Sequence, residues 1–241
     1  MELQNNKILI TGGASGIGLA MAERFIKENN TVIICGRRIS ALNEAKAKLP
    51  SIITRPCDLS TENDREALFN WIVEEHPDLT VLVNNAGIQQ WMSVSDDNFF
   101  SRAKEEITTN IEVPLHLTHL FLNLKSLKTV MNVTSGLSFV PLAKVPVYSA
   151  TKAFFHSFTL SLRLMLQSKN IEVIEVIPPA LNTDLGGKGL HDHAPPVSDF
   201  IEAIFAQLKN GETELTFGFS ESLSKAGQDV IKPVFARMNQ N

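Results

Sequence analysis

Tyrosine occurs once in this chain of 241 residues, tryptophan twice and cysteine twice. Two thiols cannot make a disulfide framework. Cys35 and Cys57 each end an apolar run that reads as a buried strand, so they are expected to be core side chains, and a reducing compartment is sufficient for them. No run of about 18 apolar residues exists, and the polar stretch Met1 to Asn6 enters a strand at once. Neither a signal peptide nor a spanning helix is expected, and the protein reads as cytoplasmic. A surplus of either charge is also missing: 22 basic against 26 acidic residues leave −4, with basic clusters small and local, so nucleic acid is not an expected partner. There is no internal repeat and no low-complexity tract. With 44% hydrophobic residues, the length fits one α/β domain spanning 1–241.

What the chain does have is alternation. Short β-branched runs (Lys7 to Ile10, Thr31 to Cys35, Ile52 to Pro56) are each followed by helical periodicity, from about Ile17, over Ile39 to Lys48 and over Thr61 to Glu75. Leu79 to Val83 predicts a fourth strand, followed by a long amphipathic stretch from Asp97 to about Leu124. Thr129 to Thr134 and Ile171 to Ile177 predict the fifth and sixth. Glu214 to Phe217 predicts a seventh, at an edge, and Glu221 to about Arg237 a closing helix. These strands lack polar alternation, as expected where helices cover both faces. The spacing therefore predicts a Rossmann-like, doubly wound, mostly parallel seven-stranded sheet. The periodicity fails between Pro178 and Val197, a stretch with four prolines, three glycines and two histidines. A loop that long in a compact domain is usually functional, and Gly186 to Pro196 reads as a mobile lid over a ligand.

After the first strand comes Thr11-Gly12-Gly13-Ala14-Ser15-Gly16-Ile17-Gly18. Glycine permits positive φ and close backbone approach, and the free N–H groups of the helix that follows favour a pyrophosphate. A glycine-rich turn without a ligand has the same composition; the position between strand and helix favours phosphate. The second strand ends Cys35-Gly36-Arg37-Arg38, with no acidic residue to accept bonds from an adenosine ribose. Arg37 and Arg38, with Ser15 as a further donor, can meet a 2′-phosphate, so NADP is favoured over NAD. A solvated charge pair is the alternative.

The lone tyrosine, Tyr148, lies four residues before Lys152 and thirteen after Ser135. A phenol with an ordinary pKa near ~10 is a poor acid or base at neutral pH; a lysine one helical turn away is expected to favour the phenolate and bring it within working range. Ser135 adds a hydroxyl able to hold a substrate oxygen. A Tyr-x-x-x-Lys pair alone is often just an exposed helix pair. Gln89, Gln90 and Trp91 are candidates for lining a substrate pocket, although Trp91 equally suits a rim or an interface. His191 and His193 lack an evident third ligand, so no metal site is expected and they are assigned to substrate or solvent.

In order along the chain, the glycine turn, Asn84-Asn85-Ala86-Gly87, Asn110, Ser135, Tyr148 and Lys152 resemble the short-chain dehydrogenase/reductase family over nearly the whole length. More narrowly, Asn132 to Leu137, Val176 to Leu185 and Gly218 to Ser224 resemble the DltE-like oxidoreductases. The resemblance implies that Gly12, Ser15, Gly16, Ile17, Gly18, Arg37 and Arg38 hold the phosphate end of NADP. It implies that Asp58 and Leu59 flank adenine, that Asn85, Ala86 and Gly87 line the ribose region, and that Ile177, Pro178 and Thr183 sit by the nicotinamide. Tyr148 and Lys152 face the cofactor as well. In the implied reaction, Ser135 and Tyr148 bond a carbonyl oxygen, Tyr148 exchanges the proton, Lys152 lowers the tyrosine pKa and bonds the nicotinamide ribose, and Asn110 interrupts its helix to hold a water. Pro179 departs from the usual glycine of the family, removing a donor and stiffening that loop. The substrate implied is a small carbonyl or alcohol, and the assembly a homodimer or homotetramer through the helices of Asp97 to Leu124 and Ser149 to Gln167. An NADP-binding regulatory protein on the same fold, without turnover, is the rival reading.

Overall fold

The computed structural model describes residues 1–240. Its first half alternates β1 (Lys7–Thr11), α1 (Gly16–Lys27), β2 (Thr31–Gly36), α2 (Ile39–Lys48), β3 (Ile53–Pro56), α3 (Glu62–Glu75) and β4 (Val81–Asn84). Next come α4 (Phe99–Ile107), a π-helical turn (Thr108–Glu112) and α5 (Val113–Phe121). β5 (Thr129–Val133), α6 (Pro146–Leu166), β6 (Glu172–Ile177), α7 (Val197–Lys209), β7 (Glu214–Thr216), α8 (Phe219–Ser224) and α9 (Gln228–Met238) complete the chain. The seven strands run β3-β2-β1-β4-β5-β6-β7, and every pairing is parallel. The order reverses between β1 and β4, and a crevice opens at such a reversal beyond the carboxyl ends of the strands.

Alternate residues of one strand feed two apolar layers. Ile8 and Ile10 of β1 pack with Phe25, Phe200 and Phe205 from α1 and α7, whereas Leu9 points to Leu68, Leu117, Phe121 and Leu162 from α3, α5 and α6. The Phe25 and Phe205 rings meet edge to face with centroids 4.8 Å apart. Each such fully buried side chain contributes about 2 kcal/mol, which makes the two layers the main source of stability. Cys35 and Cys57 are both free and buried in the second layer, and burial pushes the Cys57 thiol up to about 12.

Two predicted helices differ in form. The stretch from Asp97 starts as a helix only at Phe99 and is interrupted at Thr108–Glu112. Pro114, in the first turn of α5, has no N–H for the carbonyl four residues back, that of Asn110, and the helix widens there. The closing helix splits into α8 and α9 at Gly227, a poor helix former that takes the N-cap position of α9. α9 buries no residue fully. Among the described residues no helix is long and apolar enough to cross a membrane.

Candidate active site

The glycine turn is shaped by close approach. Gly12 has φ +63°, and a Cβ there would lie 3.0 Å from Ala86 Cα; a Cβ on Gly18 would lie 2.7 Å from the Gly12 carbonyl oxygen. Any larger side chain would push the turn away from the loop after β4. That loop is pinned in return: Thr11 Oγ1 accepts from the N–H groups of Asn85 and Ala86, both at 3.0 Å, and Asn85 Nδ2 donates to the Thr11 carbonyl at 2.8 Å. Ser15 occupies the N-cap of α1, yet its hydroxyl caps nothing, and no acidic residue stands in the first turn. The N–H groups and positive end of α1 are therefore open to an anion.

Arg37 and Arg38 leave the end of β2 exposed, and neither forms an ion pair among the described residues. Nearby, Asp58 bonds the Ser60 hydroxyl at 2.7 Å; that bond, with help from the Arg37 charge, holds its carboxyl below the usual range.

From these groups a cleft of about 1390 Å³ runs to Ser135, Tyr148 and Lys152 and on to Pro178 and Thr183. Ser135 follows two residues after β5, and its Oγ accepts the Leu137 N–H at 3.1 Å, so the hydroxyl proton is free to be donated. Behind it, Thr134 Oγ1 donates to the buried Glu175 at 2.7 Å, and His156 Nδ1 lies 2.8 Å from the same oxygen. Lys152 Nζ donates to the Val133 carbonyl at 2.8 Å and sits 5.6 Å from the centre of the Tyr148 ring. Burial lowers the Lys152 ammonium to about 8, so it stays cationic at neutral pH.

The phenol goes the other way from the sequence expectation. Burial pushes the Tyr148 pKa up; the Ser135 hydroxyl pulls it down and the charge of Glu106 raises it further. Desolvation dominates because the phenol is almost wholly buried, and a buried phenolate loses water that one partner does not replace.

Most residues expected at the site border this cleft: Gly12, Ser15, Gly16, Ile17, Gly18, Arg37, Arg38, Asp58, Leu59, Asn85, Ala86, Gly87, Ser135, Tyr148, Lys152, Pro178 and Thr183. Asn110 does not. It is buried in the π-helical turn, where its amide accepts from the Ile88 N–H and donates to the Ile88 carbonyl, both at 2.9 Å, and donates to Thr151 Oγ1 at 3.1 Å. It clamps the loop after β4 to α6. Ile177 is fully buried in the core, its carbonyl accepting from Ser220 Oγ. Trp91 and Gln89 line the cleft, and so does His191, whereas His193 is exposed.

The sequence reading missed three groups. Phe219 and Met238 also line the cleft, and Asn239 tethers the end of α9 across it: Oδ1 accepts from the Ala143 N–H at 2.6 Å and Nδ2 donates to the Pro141 carbonyl at 3.1 Å. Contacts between residues nearly one hundred positions apart leave no local pattern. Glu106 had a weak signal, as a charged residue on the apolar face of an amphipathic helix.

The model of the short chain dehydrogenase family matches residues 6–193. The chain belongs to the short-chain dehydrogenase/reductase family. It is 41% identical over 249 aligned positions to the uncharacterized oxidoreductase DltE of Bacillus subtilis, covering 99% of this chain and 98% of that protein, which places it in the DltE-like subgroup. Among solved structures, a short-chain dehydrogenase of Burkholderia cenocepacia in complex with NADP superposes with a TM-score of 0.86 at 22% identity, covering 100% of both chains. One from Burkholderia phymatum in complex with NAD gives a TM-score of 0.83 at 16% identity, covering 100% of this chain and 97% of that one. At such identities the superpositions speak to the fold. As a short-chain dehydrogenase/reductase, the protein is an oxidoreductase of the class that interconverts alcohols and carbonyls with a nicotinamide cofactor.

Proposed function

We propose that this protein interconverts a small carbonyl compound and its alcohol with NADP(H), using Tyr148 as the proton donor and acceptor. The observation that carries the proposal is the convergence of Ser135, Tyr148 and Lys152 at one end of a cleft whose other end holds the glycine turn and two unpaired arginines. The residues fit the cofactor: the turn tolerates no side chain at Gly12 or Gly18, Ser15 leaves the start of α1 open, and Lys152 sits beside Gly87. The nicotinamide, when bound, supplies hydride to the carbonyl carbon or takes it from the alcohol carbon. Ser135 donates its free hydroxyl proton as a hydrogen bond to the substrate oxygen, and Tyr148 transfers its own proton to that oxygen as the alcohol forms; in oxidation the proton returns. Lys152 places a positive charge beside the phenol, stabilising it once the proton has left. Asn110 keeps Ile88 and Thr151 in place, so the loop after β4 and α6 hold one spacing. Asn110, in the π-helical turn that interrupts its helix, holds a water that returns protons from solvent.

The preference for NADP(H) rests on Arg37 and Arg38, which stand where no acidic residue follows β2, form no ion pair among the described residues and can pair a 2′-phosphate. Calorimetry is expected to show tighter binding of NADP(H) than NAD(H). Arg37→Asp should weaken NADP(H) at least about tenfold, the size of one lost charge-assisted bond, and leave NAD(H) unharmed. Equal affinities in the unmutated protein would remove the assignment.

The segment Gly186 to Pro196 supports a lid over the substrate. Gly186, Gly187 and Gly189 all have positive φ, and the segment closes back on its own start, with Asn182 N–H donating to the Pro195 carbonyl at 2.9 Å and Ala194 N–H to the His191 carbonyl at 2.9 Å. Hydrogen exchange should slow there when cofactor and substrate are both added. Equal protection with and without them would count against a lid. Exposed Phe100, Ile107, Phe154, Leu164 and Met165 on α4 and α6 support a homodimer or homotetramer built on those helices. A cytoplasmic location agrees with the free thiols of Cys35 and Cys57.

A further inference from the structure

Glu106 is a fully buried carboxylic acid in the last turn of α4. One of its oxygens accepts the backbone N–H of Gln90; the other, Oε2, has no hydrogen-bond partner. A buried carboxylate with half its acceptors unpaired is costly, and structural acids are normally paired. α4 continues into the π-helical turn, where Asn110 bonds Thr151 of α6. Both helices return the chain between successive parallel strands, so they run side by side in one sense. Glu106 lies one turn before Asn110 and Tyr148 one turn before Thr151, which places the carboxyl and the phenol at the same level of adjoining helices. The charged and titratable groups facing Glu106 are Arg102 on its own helix and Tyr148 from α6, with Lys152 beyond; the loop after β4 contributes only the Gln90 amide.

We propose that Glu106 is a positioning residue that acts through Tyr148: its negative charge holds the proton on the phenol and so biases the site toward carbonyl reduction over alcohol oxidation. Burial supports this, raising Glu106 to about 7 despite the Gln90 N–H and Arg102. The carboxyl therefore gains its charge as pH rises through neutrality, and with it the hold on Tyr148. The direction of bias rests on the function proposed above; the coupling between the two groups does not.

Tyr148 is the only tyrosine, so its ionisation can be read without substrate or cofactor, by ultraviolet absorbance after rapid mixing to alkaline pH, with the two tryptophans subtracted. Glu106→Gln keeps an acceptor for Gln90 and deletes the charge. It is expected to lower the phenol pKa by about one unit, and the pH profile of alcohol oxidation should move to lower pH by the same amount, with reduction at neutral pH little changed. Glu106→Asp, which keeps the charge, should retain the wild-type phenol. An unmoved phenol in a Glu106→Gln protein that still binds NADP(H) overturns the coupling; a moved phenol with an unmoved oxidation profile overturns the bias. A moved phenol in a protein that turns over no substrate upholds the coupling while the proposed function fails. Should the Gln variant not fold, the ring-carbon NMR signal of Tyr148 in the wild type decides: it is expected to shift as the Glu106 carboxyl gains its charge, and a Tyr148 signal that stays flat while Glu106 titrates overturns the coupling.

Discussion

Tyr148→Phe is expected to lower turnover by about 10²- to 10⁴-fold, the loss typical of removing a general acid, while NADP(H) affinity persists. The substitution deletes one hydroxyl from a ring that is 5% exposed, so packing is kept. No other tyrosine can stand in. Lys152 cannot replace it as the acid without leaving the Val133 carbonyl that holds it. Steady-state kinetics and calorimetry on the same preparation check both halves. In the wild type without cofactor, the phenol should titrate above the ordinary value near ~10, since burial dominates.

Ser135→Ala should be the second largest loss, about 10²- to 10³-fold in kcat, the range for removing one donor to a developing oxyanion. The reason lies in the bond from the Leu137 N–H, which occupies Ser135 Oγ as an acceptor and leaves its proton for the substrate. Because that hydrogen bond strengthens as charge builds on the substrate oxygen, kcat and kcat/KM should fall together with KM little changed. A rise in KM alone would recast Ser135 as a residue that merely binds substrate. The orphaned Leu137 N–H adds a small structural cost, so thermal melting should accompany the kinetics.

The seven strands, the glycine turn and the Ser135, Tyr148, Lys152 set were legible because each rests on local spacing: continuous apolar runs, glycines between a strand and a helix, and a four-residue offset. The register then carried them to one cleft. α7 forms in a stretch for which the sequence predicted no element, although Phe200, Ile201, Ile204, Phe205 and Leu208 follow helical spacing and are all buried; the prolines and glycines of the loop just before it obscure where the periodicity begins. The π-helical turn depends on Pro114 acting on a carbonyl four residues earlier, a backbone effect invisible to side-chain periodicity. The direction of the Tyr148 shift was misjudged because spacing reports the nearest charge and not the depth of burial. The reach of Asn239 to Pro141 and Ala143 joins the far end of the chain to the cleft, and no window of sequence contains both.

The most direct measurement of the central claim is the absorbance of the reduced cofactor while the wild-type protein is offered a panel of small carbonyl compounds, with alcohols and oxidised cofactor in the reverse direction. The account predicts turnover of at least one pair, faster with NADP(H) than with NAD(H), and its near-abolition in Tyr148→Phe. A protein that binds NADP(H) in its cleft yet transfers hydride to or from no member of the panel, or whose turnover survives the loss of the Tyr148 hydroxyl, would contradict it.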